Sequence, residues 1–102
     1  MDEKIPPTEA FEEVADTLKQ LTDASRIKIF WLLCHKALCV QELAAVMQMS
    51  SPAVSHHLRQ LRMAGLITGQ RQGKEVHYHS SGSREASFLH DMIEALMQIS
   101  CP

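Results

Sequence analysis

Apolar positions recur along this chain with a helical period in four successive stretches, then alternate, then return to a helical period. From Pro6-Pro7-Thr8 onward, Phe11, Val14, Ala15, Leu18 and Leu21 form a stripe across Glu12, Glu13, Asp16, Lys19 and Gln20. This predicts an amphipathic helix over about 8–21 with Thr8 as its N-cap. Asp23 caps a second helix, in which Ile27, Phe30, Trp31, Leu33 and Cys34 leave almost no polar side between Ile27 and Leu33; such a helix belongs at the centre of a core. Leu38 to Met47 reads as a short third helix. After a turn at Gln48-Met49-Ser50 a fourth helix begins, capped by Ser50 or Ser51, with Pro52 in the first turn where its missing N–H costs nothing. Val54, Leu58 and Leu61 of this helix share one face, and Gly65 stops it as a C′ residue.

Beyond Gly65, Leu66-Ile67-Thr68-Gly69-Gln70 and Glu75-Val76-His77-Tyr78-His79 read as two strands around a turn, Arg71-Gln72-Gly73-Lys74, with glycine and two cations at its tip. A two-stranded ribbon is marginal alone and must lean on the helices. Ser81-Gly82-Ser83 breaks it, and a last helix runs over about 83–100. Its band of Phe88, Leu89, Met92, Ile93, Leu96 and Ile99 is wider than one packing partner requires. The excess predicts a second copy of the chain, with the last helix and the first helix, 8–21, sharing a two-fold interface.

The third and fourth helices about their short turn constitute a helix-turn-helix, and the fourth, about 51–64, presents Ser51, Ala53, Ser55, His56, Arg59 and Gln60 away from the core. Short side chains let a helix sit deep in a major groove, and Ser, Gln and Arg carry groups that read base edges or hold phosphates. The ribbon, about 66–79, places Arg71 and Lys74 for backbone or minor-groove contact; a solvated loop with ordinary surface charge is the alternative. A pair of such helices on a two-fold axis calls for double-stranded DNA with an inverted repeat.

Charge is segregated in a way that suits this reading. The total is −2, yet residues 1–16 hold Asp2, Glu3, Glu9, Glu12, Glu13 and Asp16 against Lys4, a net of −5. Residues 51–79 carry Arg59, Arg62, Arg71 and Lys74 against Glu75, a net of +3. At 102 residues and 45% hydrophobic content the chain fits one domain, 1–102. No apolar run approaches the roughly 20 residues of a membrane span, and the acidic, Pro-bearing start is unlike a signal peptide; a cytoplasmic protein without membrane partners is the expectation. Cys34, Cys39 and Cys101 make an odd count without a C-x-x-C pair, which fits reduced thiols rather than a disulfide scaffold or a closed zinc site. There is no Gly-rich phosphate loop and no His-Glu-x-x-His, so an enzyme is not expected. A protein-interaction module that has lost DNA binding is the competing reading, favoured by the acidic total and opposed by Arg59, Arg71 and Lys74.

The succession Leu21-Thr22-Asp23-Ala24-Ser25-Arg26-Ile27-Lys28-Ile29, Leu38-Cys39-Val40-Gln41-Glu42-Leu43-Ala44 and Ser50 to Ile67 resembles the ArsR/SmtB family of bacterial winged-helix repressors over about residues 8–100. The resemblance implies a mainly α, homodimeric winged helix-turn-helix of five helices and a two-stranded wing. Its operator-reading helix would match Ser51 to Met63, and it would repress an operon until an inducer binds or modifies it. The family's thiolate pair on the third helix, Cys-Val-Cys-Asp, is here Cys39-Val40-Gln41-Glu42, with only the first thiol present. Its interfacial zinc site on the last helix meets Gly82, Arg84 and Ala95 at three of four ligand positions. What the last helix does hold is His90, Asp91 and Glu94, a candidate metal set with a solvated helix face as the alternative. His77 and His79, on one strand face, are expected to approach phosphates or solvent. Members responding to persulfides or oxidants carry one cysteine in the second helix and one near the C-terminus, a pattern approached by Cys34 and Cys101. Thiol modification there is therefore the favoured inducer chemistry, with a metal at Cys39 or at His90, Asp91 and Glu94 as the alternative. No resident cofactor is implied; a metal ion enters only as a candidate inducer.

Overall fold

The computed structural model describes residues 4–99, with α1 (Thr8–Lys19), α2 (Ala24–His35), α3 (Val40–Met47), α4 (Ser51–Met63), β1 (Ile67–Gln72), β2 (Glu75–Ser80) and α5 (Arg84–Met97) in that order. The two strands pair antiparallel, Ile67 opposite Ser80 and Gln72 opposite Glu75. Five helices and one ribbon form the winged helix-turn-helix that the pattern predicts.

The element ends show where local chemistry overrode the pattern. At α1 the N-cap is Pro7, in extended backbone, and no side chain caps the helix; Thr8 is already its first residue. Asp23 does cap α2, its carboxylate accepting from the Arg26 N–H at 2.9 Å. Helix α3 starts at Val40 rather than Leu38 because the Leu38 backbone is taken by the ribbon: its N–H donates to the Tyr78 carbonyl at 3.0 Å and its carbonyl accepts from Tyr78 at 2.8 Å. That bridge ties the ribbon to the helical body. Gln48, with φ of 55°, ends α3, and Ser50 then caps α4 through the Ala53 N–H at 3.2 Å. These two caps fix the helix-turn-helix. Helix α5 stops at Met97, with Gln98 in the left-handed region, three residues short of the expected end; Ser100 and Cys101 lie outside the described residues.

The wing is longer and tighter-tipped than expected. Arg71 stands inside β1 opposite Val76, and the turn is Gly73-Lys74, with Gly73 at φ of 67°, which a two-residue hairpin with glycine first requires. Gly69, opposite Tyr78, leaves room for that ring: a Cβ there would lie 2.9 Å from Val76 Cγ1 and 3.0 Å from Tyr78 Cε1.

One core joins Ile29, Phe30 and Leu33 of α2 to Leu43, to Val54, Leu58 and Leu61 of α4, to Leu66 and Ile67, and to Ala86, Leu89 and Ile93 of α5. Helix α1 contributes no buried residue. Its Phe11, Val14 and Leu18 are exposed, as are Phe88, Met92 and Leu96 of α5. The radius of gyration, 15.1 Å, exceeds the roughly 13 Å of a compact chain this long.

Candidate nucleic-acid interface and sensing clusters

Because Val54, Leu58 and Leu61 are spent on the core, the rest of α4 faces outward on a fixed cylinder. Ser51, Ser55, His56 and Arg59 are exposed, and Ala53 is half-buried. Two grooves run between this helix and the wing, sharing Tyr78 as their common wall. One, of about 390 Å³, brings Ser51 to Lys74, Glu75 and Val76; the other, of about 380 Å³, is lined by Ser55, Arg59, Arg62 and Met63. Ser51, Ser55, Arg59 and Lys74 thus share the side of α4 next to the wing. Gln60 does not join them: it turns toward α1, lining a groove with Glu13, Asp16, Thr17 and Gln20. Arg71 is exposed on the wing and lines neither groove.

The adjacent histidines of α4 part company. His56 is exposed, whereas His57 accepts from the Arg26 Nε–H at 3.2 Å and sits 3.9 Å from the Asp23 carboxylate. Burial, with the Arg26 charge beside it, pulls its pKa below the usual histidine value. Arg26 also donates to Gln20 Oε1 at 2.8 Å, so this neutral imidazole pins α4 to the α1–α2 junction. The i, i+31 spacing of Arg26 and His57 carries no sequence signal.

The metal and thiol candidates fall into two clusters. In the first, His90 Nε2 lies 3.2 Å and His35 Nε2 3.7 Å from Glu94 Oε2, and Trp31 Nε1–H donates to that same oxygen at 3.0 Å. Glu94 is 7% exposed, so for this residue the solvated-face alternative is corrected: α5 turns its carboxylate inward against α2, while Asp91 stays exposed. Asp91 stands behind His90, its Oδ1 3.1 Å from Nδ1. Cys34 is close enough to Glu94 to feel its charge; burial, eased by a Ser80 hydrogen bond and reinforced by Glu94, pushes the thiol up to about 11. Cys101 lies outside the described residues. His35 and Trp31 escaped sequence reasoning because only the packing of α2 on α5 makes them neighbours of Glu94.

In the second cluster, buried Cys39 is the N-cap of α3. Its N–H donates to Glu42 Oε1 at 3.0 Å and its thiol to Glu75 Oε2 at 3.6 Å. The Glu42 backbone N–H is the largest influence on this thiol and lowers its pKa, but burial and the Glu42 carboxylate leave it raised. The Cys39 N–H in turn holds the Glu42 carboxyl below its ordinary value. His77 Nε2 lies 3.8 Å from Glu42 Oε1, and its Nδ1 is buried with no hydrogen-bond partner. His77 therefore points into the α3–wing junction, against the expectation of phosphate or solvent. His79 Nδ1 meets the Ser80 carbonyl at 2.8 Å.

This geometry, a capped helix-turn-helix flanked by a wing, defines a winged helix-turn-helix fold. Residues 23–68 match the model of the bacterial regulatory protein arsR family. The chain is 37% identical over 86 residues to the HTH-type transcriptional regulator NmtR of Mycobacterium tuberculosis, covering 84% of this chain and 72% of that protein. It is 34% identical over 88 residues to the HTH-type transcriptional repressor SmtB of the same species, covering 86% of this chain. The chain spans 65% of the length of SmtB. Among solved structures, HlyU from Vibrio cholerae superposes with a TM-score of 0.78 at 27% identity, over 90% of this chain and 97% of that one. The chain belongs to the ArsR/SmtB family of transcriptional regulators.

Proposed function

We propose that two copies of this chain, residues 1–102 folding as one domain, form a DNA-binding transcriptional repressor that reads an inverted-repeat operator. The observation that carries this reading is the side of α4 next to the wing, where Ser51, Ser55 and Arg59 adjoin Lys74 along grooves walled by Tyr78. Ala53 and His56 complete the recognition surface of α4, Gln60 reaches its far edge, and Arg71 holds a phosphate from the wing. The chain's net acidity does not oppose this, since the acids gather at α1 and the cations on α4 and the wing. Exposed Phe11, Val14 and Leu18 on a helix that buries nothing within its own chain, beside Phe88, Met92 and Leu96 on α5, supply the surface that a second copy covers.

Release from DNA we assign to an inducer acting where α2 meets α5. Thiol chemistry at Cys34 and Cys101 is the favoured form; with Cys34 held protonated by its raised pKa, Cys101 is the sulfur modified first. Nothing in this scheme is catalytic, and no resident cofactor takes part. A gel shift on duplex from upstream of the protein's own coding sequence tests the reading. Binding that falls with salt, weakens in Arg59→Ala and is lost on persulfide treatment only while Cys101 is present supports it. A chain that ignores this DNA yet captures a protein through α4 is the interaction module instead.

A further inference from the structure

The first cluster gathers two imidazoles and a carboxylate at one point between α2 and α5. Glu94 is a carboxylate at 7% exposure, and a buried charge is tolerated only where it is paired. Two imidazoles turn the same atom, Nε2, toward it, and each has its other nitrogen engaged elsewhere: His35 Nδ1 lies 2.7 Å from the Trp31 carbonyl, and His90 Nδ1 lies 3.1 Å from the Asp91 carboxylate. A carbonyl or carboxylate at Nδ1 favours the tautomer with the proton there, the form in which Nε2 can serve as a metal ligand. Trp31 orients the group: its Nε1–H holds Glu94 Oε2 and its ring stacks on His35 with centroids 4.1 Å apart. His35 also ends α2, where the helix dipole favours positive charge.

We propose that His35, His90 and Glu94 form a site for a borderline divalent cation of the zinc, cobalt or nickel class, bridging α2 and α5 within a single chain. The donor set, two imidazoles and one carboxylate, suits such ions better than soft monovalent or hard alkaline-earth ones. The spacing suits them also. A tetrahedral ion with ligand bonds of about 2.0–2.2 Å separates its ligand atoms by about 3.3–3.6 Å. The observed Nε2 to Oε2 separations are 3.2 and 3.7 Å, and the three ligand atoms lie within 4.8 Å of one another. Asp91 orients His90 from behind. Partial exposure at His35 leaves the fourth position open to water. The site differs from a pair of ligand sets shared between two copies, since α2 and α5 of one chain supply every ligand. It goes beyond the repressor reading and does not rest on it.

Co(II) titration of the reduced full chain, without DNA, is the test. One ion per chain is expected, with visible d–d bands of a four- or five-coordinate centre and no near-ultraviolet thiolate-to-metal band; Zn(II) displaces it. His35→Gln and Glu94→Gln abolish the bands. Asp91→Asn weakens binding by about tenfold, and His77→Gln leaves it unchanged. His35 is partly exposed, so its variant keeps the fold and keeps the test valid should the Glu94 variant unfold. Absence of d–d bands at saturating Co(II) overturns the proposal. So does a thiolate band lost with Cys39→Ser, which places the ion in the second cluster.

Discussion

Helices α4 and α5 are nearly equal in length, 13 and 14 residues, and both are amphipathic, yet they end in different conditions. The apolar stripe of α4 is consumed inside the chain, and Met63 is the only large hydrophobe it leaves exposed. Helix α5 buries Ala86, Leu89 and Ile93 but leaves Phe88, Met92, Leu96 and Met97 outside. One helix is finished by its own chain and turns a polar face outward; the other leaves an apolar face that its own chain does not cover. The same contrast separates their buried polar groups. His57 anchors α4 as a neutral hydrogen-bond acceptor, whereas Glu94 brings a carboxylate and two imidazoles together beneath α5.

The contrast breaks most visibly at the outer face of α5. Replacing Phe88 and Leu96 by Asp together is expected to yield monomers in sedimentation velocity, and to weaken operator binding by about a hundredfold or more as the paired helices separate. Inside α4 the largest effect is on folding: Leu61→Ala is expected to cost about 2–5 kcal/mol in denaturant unfolding, against about 0.5 kcal/mol or less for Met63→Ala on the same helix. On its outer face the effect moves from stability to binding. Arg59→Ala is expected to lose about 1–3 kcal/mol of operator affinity by fluorescence anisotropy, with the unfolding midpoint unchanged.

The smallest effect concerns pH. The folded chain holds His57 below its ordinary value of 6.5, so the unfolded chain binds the extra proton more readily. The stability this group contributes is complete above about 6.5 and is lost as pH falls through the lower folded value. Melts across that range should show the loss in the native chain, and His57→Gln should flatten it.

Periodicity and punctuation carried most of the fold, because the α2 and α4 patterns and caps are local: Asp23, Ser50 and Gly65 do what their residue types dictate. The errors arise where a distant segment decides. Leu38 leaves the helical pattern because Tyr78 claims its backbone, and Arg71 enters β1 because the hairpin turns on Gly73. Which α4 residues face outward was readable on the same terms, while the turn of Gln60 toward α1 was not. The two side-chain clusters were not. His35, Trp31 and Glu75 carry no motif, and nothing in their spacing predicts that two helices, or a helix cap and a strand, will bring them to within 4 Å of Glu94 and Cys39.

If α4 is complete within one chain while α1 and α5 require two, the free protein is a dimer and its DNA complex holds two chains. Sedimentation velocity of the full chain with a fluorescent inverted-repeat duplex tests this most directly, scanned over salt. The expected result is a complex of two chains per duplex that dissociates steeply as salt rises, formed by a protein already dimeric without DNA. A stable monomer that binds the duplex one chain at a time, or a dimer indifferent to the duplex at low salt, would contradict it.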